Sequence, residues 1–360
     1  MGILLPGRSN RLRELFDPPG IDAIYITNPE NRFYLSGFSG TTGALLLTRT
    51  RACLLTDFRY TAQASAESPE FQVVEVTDSY AGTIFKILKE NQLTRLGIEG
   101  DHLTCNQYDI IRKRCEGIDV KPLSDKVEKL RNCKDEAEVG MIEKAVSISD
   151  QALVLTLPVI RPGVTENEIA LHLEYTMRRL GADGSAFKII AASGTRSALP
   201  HGVASAKTIA AGDLVTLDFG AVYHGYHSDI TRTVAVNSAS PKQKEIYEIV
   251  LEAQMNAVAA IKAGVRACDV DRAARSIIEK YGYGECFGHG TGHGLGLNIH
   301  ESPRLSAKDS TVLEPGMVVT AEPGIYVNNW GGVRIEDTVL VENYGCRILT
   351  GSPKEELLIL

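Results

Sequence analysis

Two stretches of this chain repeat each other at nearly the same distance, and that repeat limits the fold more than any other feature. Ile160–Ile169 (IRPGVTENEI) lines up with Ile261–Val270 (IKAGVRACDV) at an offset of 101, and Gly212–Gly220 (GDLVTLDFG) with Gly316–Gly324 (GMVVTAEPG) at an offset of 104. An internal duplication of helix, helix, strand, strand is the simplest reading. Its expected product is a pseudo-two-fold α+β domain with one sheet and helices packed on its outer face.

The helix signals agree with that unit. One helix is expected from about Asp135 to Leu157, stopped by Pro158 and Arg161-Pro162-Gly163. Thr165 with Glu168 forms a capping box for the next, to about Leu180. Ser240-Pro241 opens a third, with Ser as cap and Pro in the first turn, ending near Gly264. A fourth runs from about Asp269 to Tyr281, closed by Gly282.

Ahead of the repeat, apolar runs alternate with helical patterns. Ile21–Thr27, Ala44–Thr48, Ala52–Asp57, Phe71–Thr77 and Arg95–Gly100 read as strands, with helices near Tyr80–Asn91 and Cys105–Gly117. That alternation predicts an α/β layer domain. Lys121–Cys133 is polar and irregular in pattern, so the boundary is placed there: an N-terminal domain over 1–125 and a second domain over 133–360.

The duplicated region concentrates acid at strand ends. Asp218 closes LVTLD and Asp229 opens DITRTVAV; their midpoint, 223.5, falls in AVYHGYH, where Gly225 suits a turn. Glu322 closes VVTAE and Glu336 sits in VRIEDTVLV; their midpoint, 329, falls in NNWGG. Each hairpin then presents a facing acidic pair, with Cβ atoms about 5 Å apart. Four carboxylates in an apolar setting repel and must take up protons unless counter-charge is bound, and a pair of divalent cations supplies it. GHGTGHGLG (Gly288–Gly296) offers His289 or His293 as a nitrogen ligand, and its glycines miss the dinucleotide-binding spacing. Oxygen-rich ligation with one imidazole suits manganese, cobalt, iron or zinc. Two such ions about 3.5 Å apart would share a bridging hydroxide.

LDFGAVYHGYHSDITRT, GHGTGHGLGLNIHE, TAEPGIY and VRIEDT resemble the metallopeptidase family of pita-bread fold, which includes methionine aminopeptidase, Xaa-Pro aminopeptidase, Xaa-Pro dipeptidase (prolidase) and creatinase. The likeness is strongest over Leu214–Val339, and the leading domain, with YLSGFSGTTG and TDFRY, resembles the Xaa-Pro aminopeptidase and prolidase branch. The resemblance implies five metal ligands, Asp218, Asp229, His293, Glu322 and Glu336, with Asp229 and Glu336 bridging two divalent ions, manganese foremost and cobalt or zinc as the other candidates. It implies substrate contacts for His201, His289, His300, Tyr326 and Arg334, with His201, His289, His300 and Glu322 catalytic. Glu322 is assigned as the proton shuttle from attacking water to leaving nitrogen. The implied reaction is hydrolysis of the peptide bond before proline. The leading motifs favour an Xaa-Pro aminopeptidase, the alternative being a prolidase that cleaves only dipeptides. A non-catalytic binder on the same fold is the distant rival, and it generally loses ligands that are all present here.

The remaining features exclude other classes. A net charge of −7 without a basic stripe argues against a nucleic-acid binder. No run reaches about 18 apolar residues, and Met1–Pro6 is too short for a signal core. Seven widely spaced cysteines without C-x-x-C read as reduced thiols in a cytoplasmic protein. The resemblance further implies a homodimer.

Overall fold

The structure, a computed structural model, describes residues 7–17 and 20–360. The apolar start of the chain, residues 1–6, lies outside them. The chain divides into two compact units, Met1–Arg131 and Asn132–Leu360.

The first unit is a six-stranded sheet of β1 (Ala23–Ile26), β2 (Ala44–Thr48), β3 (Ala52–Thr56), β4 (Gln72–Glu75), β5 (Arg95–Glu99) and β6 (Asp119–Leu123), in the order β4-β3-β2-β1-β5-β6. Its helices are α1 (Arg8–Glu14), α2 (Pro29–Ser36), α3 (Thr61–Glu67), α4 (Tyr80–Glu90), α5 (Cys105–Arg114) and α6 (Lys126–Asn132). All five residues of β2 are buried, as in a strand covered on both faces. The segment Lys121–Cys133, expected to be irregular, instead ends β6 and forms α6. Only Val127 and Arg131 of α6 are buried, so it carries almost no apolar period to read. Pro122 sits in β6 because that strand is the sheet edge, where a missing N–H costs little.

The second unit is the duplicated one, an α+β pita-bread fold. Its first half holds α7 (Glu136–Thr156) and α8 (Glu166–Arg179), then β7 (Gly184–Ser185), β8 (Ile190–Ser193), β9 (Leu214–Phe219), β10 (Ala221–Tyr223), β11 (Tyr226–His227) and β12 (Ile230–Ala235). Its second half holds α9 (Pro241–Ala260) and α10 (Ala267–Lys280), then β13 (Gly292–Gly294), β14 (Glu301–Leu305), β15 (Val318–Ala321), β16 (Gly324–Val327), β17 (Gly331–Arg334), β18 (Asp337–Val341) and β19 (Cys346–Ile348). Three of the four helices start on a side-chain capping box, at Asp135, Thr165 and Ser240. Each half has its own core. Ile169, Leu173 and Met177 of α8 pack with Leu217 and Phe219 of β9, and Val250 and Ala257 of α9 pack with Val319 and Val339.

The strands of this unit are shared among four small sheets instead of the single sheet expected. The ribbons break where the acids sit. Asp229 falls between β11 and β12, Glu322 with Pro323 between β15 and β16, and Glu336 between β17 and β18. Pro323 has no N–H to carry a ladder across its break. At its own break, the Glu336 backbone turns to the other half and donates to the Thr231 carbonyl (3.1 Å).

The first hairpin also differs in register. Its turn is the two-residue His224-Gly225, both left-handed (φ 49° and 81°), which pairs Tyr223 with Tyr226. Asp218 therefore stands opposite Thr231, not Asp229. The slip is two residues, so Asp229 keeps the same face as Thr231. In the second hairpin Gly324 pairs with Arg334 and Ala321 with Asp337, the register that sets Glu322 against Glu336.

Candidate metal centre

Glycine spacing lets an imidazole reach this cluster. A Cβ at Gly292 would lie 2.1 Å from the Thr320 carbonyl oxygen, and one at Gly294 would lie 2.3 Å from that of Ser302. Only glycine on both sides lets His293 sit so close between neighbouring strands. Its Nδ1 meets the Gly294 carbonyl (3.0 Å). Donation there fixes the tautomer and turns the Nε2 lone pair toward the acids, free for a cation held among them. That Nε2 lies 3.5 Å from Asp229 Oδ2 and 3.3 Å from Glu322 Oε1. One ligand atom each of Asp229, His293 and Glu336 all fall within 4.8 Å of one another.

Asp218 and Glu322, equivalent in the repeat, meet different partners. Asp218 Oδ2 takes Arg334 Nη2 at 2.5 Å, whereas Glu322 Oε1 takes the Thr320 hydroxyl at 3.2 Å. Arg334 commits its other nitrogens as well: Nε to Thr231 Oγ1 (3.0 Å), and Nη1 to Tyr326 Oη (2.7 Å) and the Pro200 carbonyl (3.1 Å). Thr231 then donates to Glu336 Oε2 (2.7 Å).

Burial pushes the Asp229 and Glu336 carboxyls well above the usual range, and neighbouring carboxylates push them further. Asp218 is also raised by burial, against the opposing pull of Arg334. Asp229 Oδ1 and Glu336 Oε1 are fully buried with no hydrogen-bond partner. Orphaned anionic oxygens beside an imidazole lone pair form a donor set that a divalent cation satisfies, so the residues present fit a metal site.

The acids open onto a cleft of about 990 Å³ lined by His201, Asp218, Asp229, His289, His293, His300, Glu322 and Arg334. Glu336 and Tyr326 are not part of that lining. Glu336 is sealed below it at 1% exposure. Tyr326 sits behind the cleft, its hydroxyl bonded to both His289 Nε2 (2.9 Å) and Arg334. Arg334 is donor-only, so the Tyr326 proton points to His289 and that ring carries its own proton on Nδ1, toward Gly290 O (2.8 Å). Burial lowers the His289 pKa and lifts the Tyr326 hydroxyl to about 12. His300 packs its ring edge-on against His293 (centroids 4.4 Å apart), and desolvation brings its pKa down to about 4. His201 rides on the exposed loop after Pro200.

Sequence reasoning missed Lys188 and Arg304, exposed basic residues that line the same cleft and form no ion pair among the described residues. Neither belongs to a periodic pattern, and only the fold brings them beside the acids. It missed Thr231 too, although its place two residues beyond Asp229 on one strand face was a usable signal.

Comparison with known proteins follows the same division of the chain. The Creatinase/Prolidase N-terminal domain family matches residues 8–133, and metallopeptidase family M24 matches residues 140–343. An Xaa-Pro dipeptidase structure from Bacillus anthracis is 49% identical, covering 98% of this chain and 99% of its own, with a TM-score of 0.96. An X-Pro aminopeptidase structure from Thermotoga maritima is 41% identical over 98% of this chain and 100% of its own, with a TM-score of 0.91. The Xaa-Pro dipeptidase of Pyrococcus furiosus is 44% identical over 97% of this chain and 99% of that protein.

Proposed function

The chain belongs to metallopeptidase family M24, and from that premise we propose that it is an Xaa-Pro dipeptidase, hydrolysing the bond before proline in dipeptides. This departs from the aminopeptidase preferred on sequence motifs. The leading domain does not discriminate between the two activities, because dipeptidase and aminopeptidase structures cover 98% of the chain alike. The higher identity to relatives named as dipeptidases supports the shorter substrate. The observation that carries the reading is the pairing of an acidic cluster with unpaired Lys188 and Arg304 in one cleft. A dipeptide has a free carboxylate one residue from its scissile bond, and a cation near the metal seats neutralises it.

Asp218, Asp229, His293, Glu322 and Glu336 would hold two divalent ions, manganese foremost. When bound, the ions polarise the scissile carbonyl and activate a water near neutral pH. The chain's own residues do the rest. Glu322 is the most open of the four acids, with 18% of its side chain exposed, which supports its role in moving the proton from water to the proline nitrogen. Thr231 and Thr320 orient Glu336 and Glu322 through their hydroxyls. Arg334 holds Asp218 and Tyr326 in place, with one Nη2 hydrogen left over beside the cleft. His201 and His300 face the cleft with room for the scissile group. Phe187, Leu199 and Ile299 add an apolar wall suited to a proline ring.

Turnover of Xaa-Pro and Xaa-Pro-Yaa peptides by manganese-loaded and chelated protein tests this. The dipeptidase reading expects cleavage of dipeptides alone, lost on chelation and restored by metal. Comparable rates on tripeptides would return the aminopeptidase.

A further inference from the structure

His201 makes no side-chain hydrogen bond among the described residues and is exposed, so the loop backbone that carries it sets which part of the cleft its ring can reach. The backbone from Ser193 to Ser205 is gathered by one residue outside the cleft. Glu166, at the first position of α8, is fully buried. Its Oε1 accepts from the Ser193 N–H and hydroxyl, both at 2.8 Å. Its Oε2 accepts from the Ser205 N–H (3.1 Å) and hydroxyl (2.6 Å), and from Arg196 Nη1. Arg196 in turn donates Nη2 to the Val203 carbonyl at 3.0 Å. Five donors thus close the two ends of a loop whose only cleft-facing imidazole is His201.

The other half of the fold contains a matching device. Asp271 of α10, 1% exposed, accepts from the Thr291 N–H (3.0 Å) and hydroxyl (2.9 Å) and pairs with Arg275. Arg275 donates to the Phe287 and His289 carbonyls at 2.9 and 2.7 Å. In each half, a buried carboxylate on the second helix uses an arginine and hydroxyl residues to fasten the loop carrying a cleft histidine. Burying an anion is unfavourable unless it is paired, and in both halves the groups that pair it belong to the histidine-bearing loop or to the arginine that holds it.

We propose that Glu166 is a positioning residue, holding His201 over the cleft through Ser193, Arg196 and Ser205. The inference rests on the proposed role of His201 in peptide hydrolysis. A displacement of about 1 Å at a substrate contact lowers rate by up to about 100-fold. Glu166→Gln leaves two amide hydrogens facing donors, so it frees the loop without emptying the site.

The test is a double-mutant cycle on kcat/KM for an Xaa-Pro dipeptide, using metal-loaded enzyme with metal content and Tm measured for every variant. Glu166→Gln is expected to lower kcat/KM about 10- to 100-fold with full metal content. Combined with His201→Ala it should add nothing beyond His201→Ala alone, because both act through one imidazole. Combined with His300→Ala, its loss should multiply. Ser205→Ala, which removes one donor and spares the Glu166–Arg196 pair, covers the case in which Glu166→Gln does not fold. It should show the same coupling at smaller size. Independent, multiplying losses for Glu166→Gln or Ser205→Ala with His201→Ala overturn the positioning role while leaving the function intact. A His201→Ala enzyme at wild-type rate overturns both the positioning role and the part of His201 in hydrolysis, whereas no turnover of an Xaa-Pro dipeptide by the metal-loaded wild type overturns the function itself.

Discussion

Glu336→Gln is expected to make the metal-free protein more stable, increasingly so as pH rises, while removing metal binding and turnover. Glu336 is 1% exposed; one oxygen takes the Thr231 hydroxyl and the other has no partner. Its folded carboxyl pKa is raised, first by burial and then by Asp229. The folded state therefore holds the proton more tightly than the unfolded chain. Stability from this group is fully present below the unfolded pKa of about 4.3 and is lost as pH climbs through the folded value. Glutamine has no such loss, and its amide can donate toward Asp229 where the orphaned oxygen stood. The gain should be near zero at about pH 4 and grow by about 1.4 kcal/mol for each unit of elevation crossed. The cost of an unsatisfied buried polar group, about 1–3 kcal/mol, sets the scale at pH 8. For a unit of this size that is roughly 2–12 °C in Tm. Thermal unfolding of chelator-treated wild type and variant at pH 5, 6.5 and 8 measures it, followed by manganese titration. A variant less stable than wild type at pH 8 without metal would refute the reasoning. So would an equal rise in Tm on adding manganese to both proteins.

Tyr326→Phe breaks the chain from Arg334 to His289 without touching an acid; kcat should fall with metal content unchanged, as read by steady-state kinetics and metal analysis. His300 has a folded pKa near 4, below its unfolded value of about 6.5, so the unfolded state binds the extra proton and stability falls as pH drops between those values. His300→Gln should flatten that part of the acid unfolding profile. Arg304→Ala should raise KM for dipeptides and leave KM for dipeptide amides, which lack the carboxylate, nearly unchanged. Leu217→Ala empties a fully buried site in the first half's core and should cost about 2–5 kcal/mol in urea unfolding.

The parts of the fold that were legible in the sequence are those with local causes. Thr165 with Glu168 and Ser240 with Pro241 start helices at those positions, because a cap satisfies N–H groups within three residues of itself. The first hairpin's register was missed because it depends on which two residues adopt left-handed φ. His224-Gly225 do so, a choice the composition AVYHGYH leaves open. Asp218, Asp229, Glu322 and Glu336 could be picked out because each stands at or within an apolar strand run, where a bare carboxylate needs a reason. Lys188, Arg304, Glu166 and Asp271 could not. The first two matter only because the fold brings them beside the acids, and the last two through Ser205, 39 residues from Glu166, and Thr291, 20 residues from Asp271, which no period connects.

Duplication explains the number of carboxylates but not their division of labour. Asp218 and Glu322 are copies of one position, yet a guanidinium sits on the first and an imidazole beside the second. Arg334 supplies that difference from the second half, two residues before Glu336, reaching across to the first half's acid. A carboxylate clamped by a buried guanidinium is a poor proton carrier, because the ion pair holds its oxygen in one place and away from a substrate nitrogen. Glu322 has no such clamp and faces the cleft, so a symmetric scaffold leaves one acid free of a guanidinium, as the proposed shuttle requires. If that asymmetry underlies the proposed shuttle, Arg334→Met should unclamp Asp218 and weaken metal retention at its seat. Glu322→Gln should instead abolish turnover at saturating metal. Equal effects of the two variants on kcat and on metal affinity would show that the two copies still share one role.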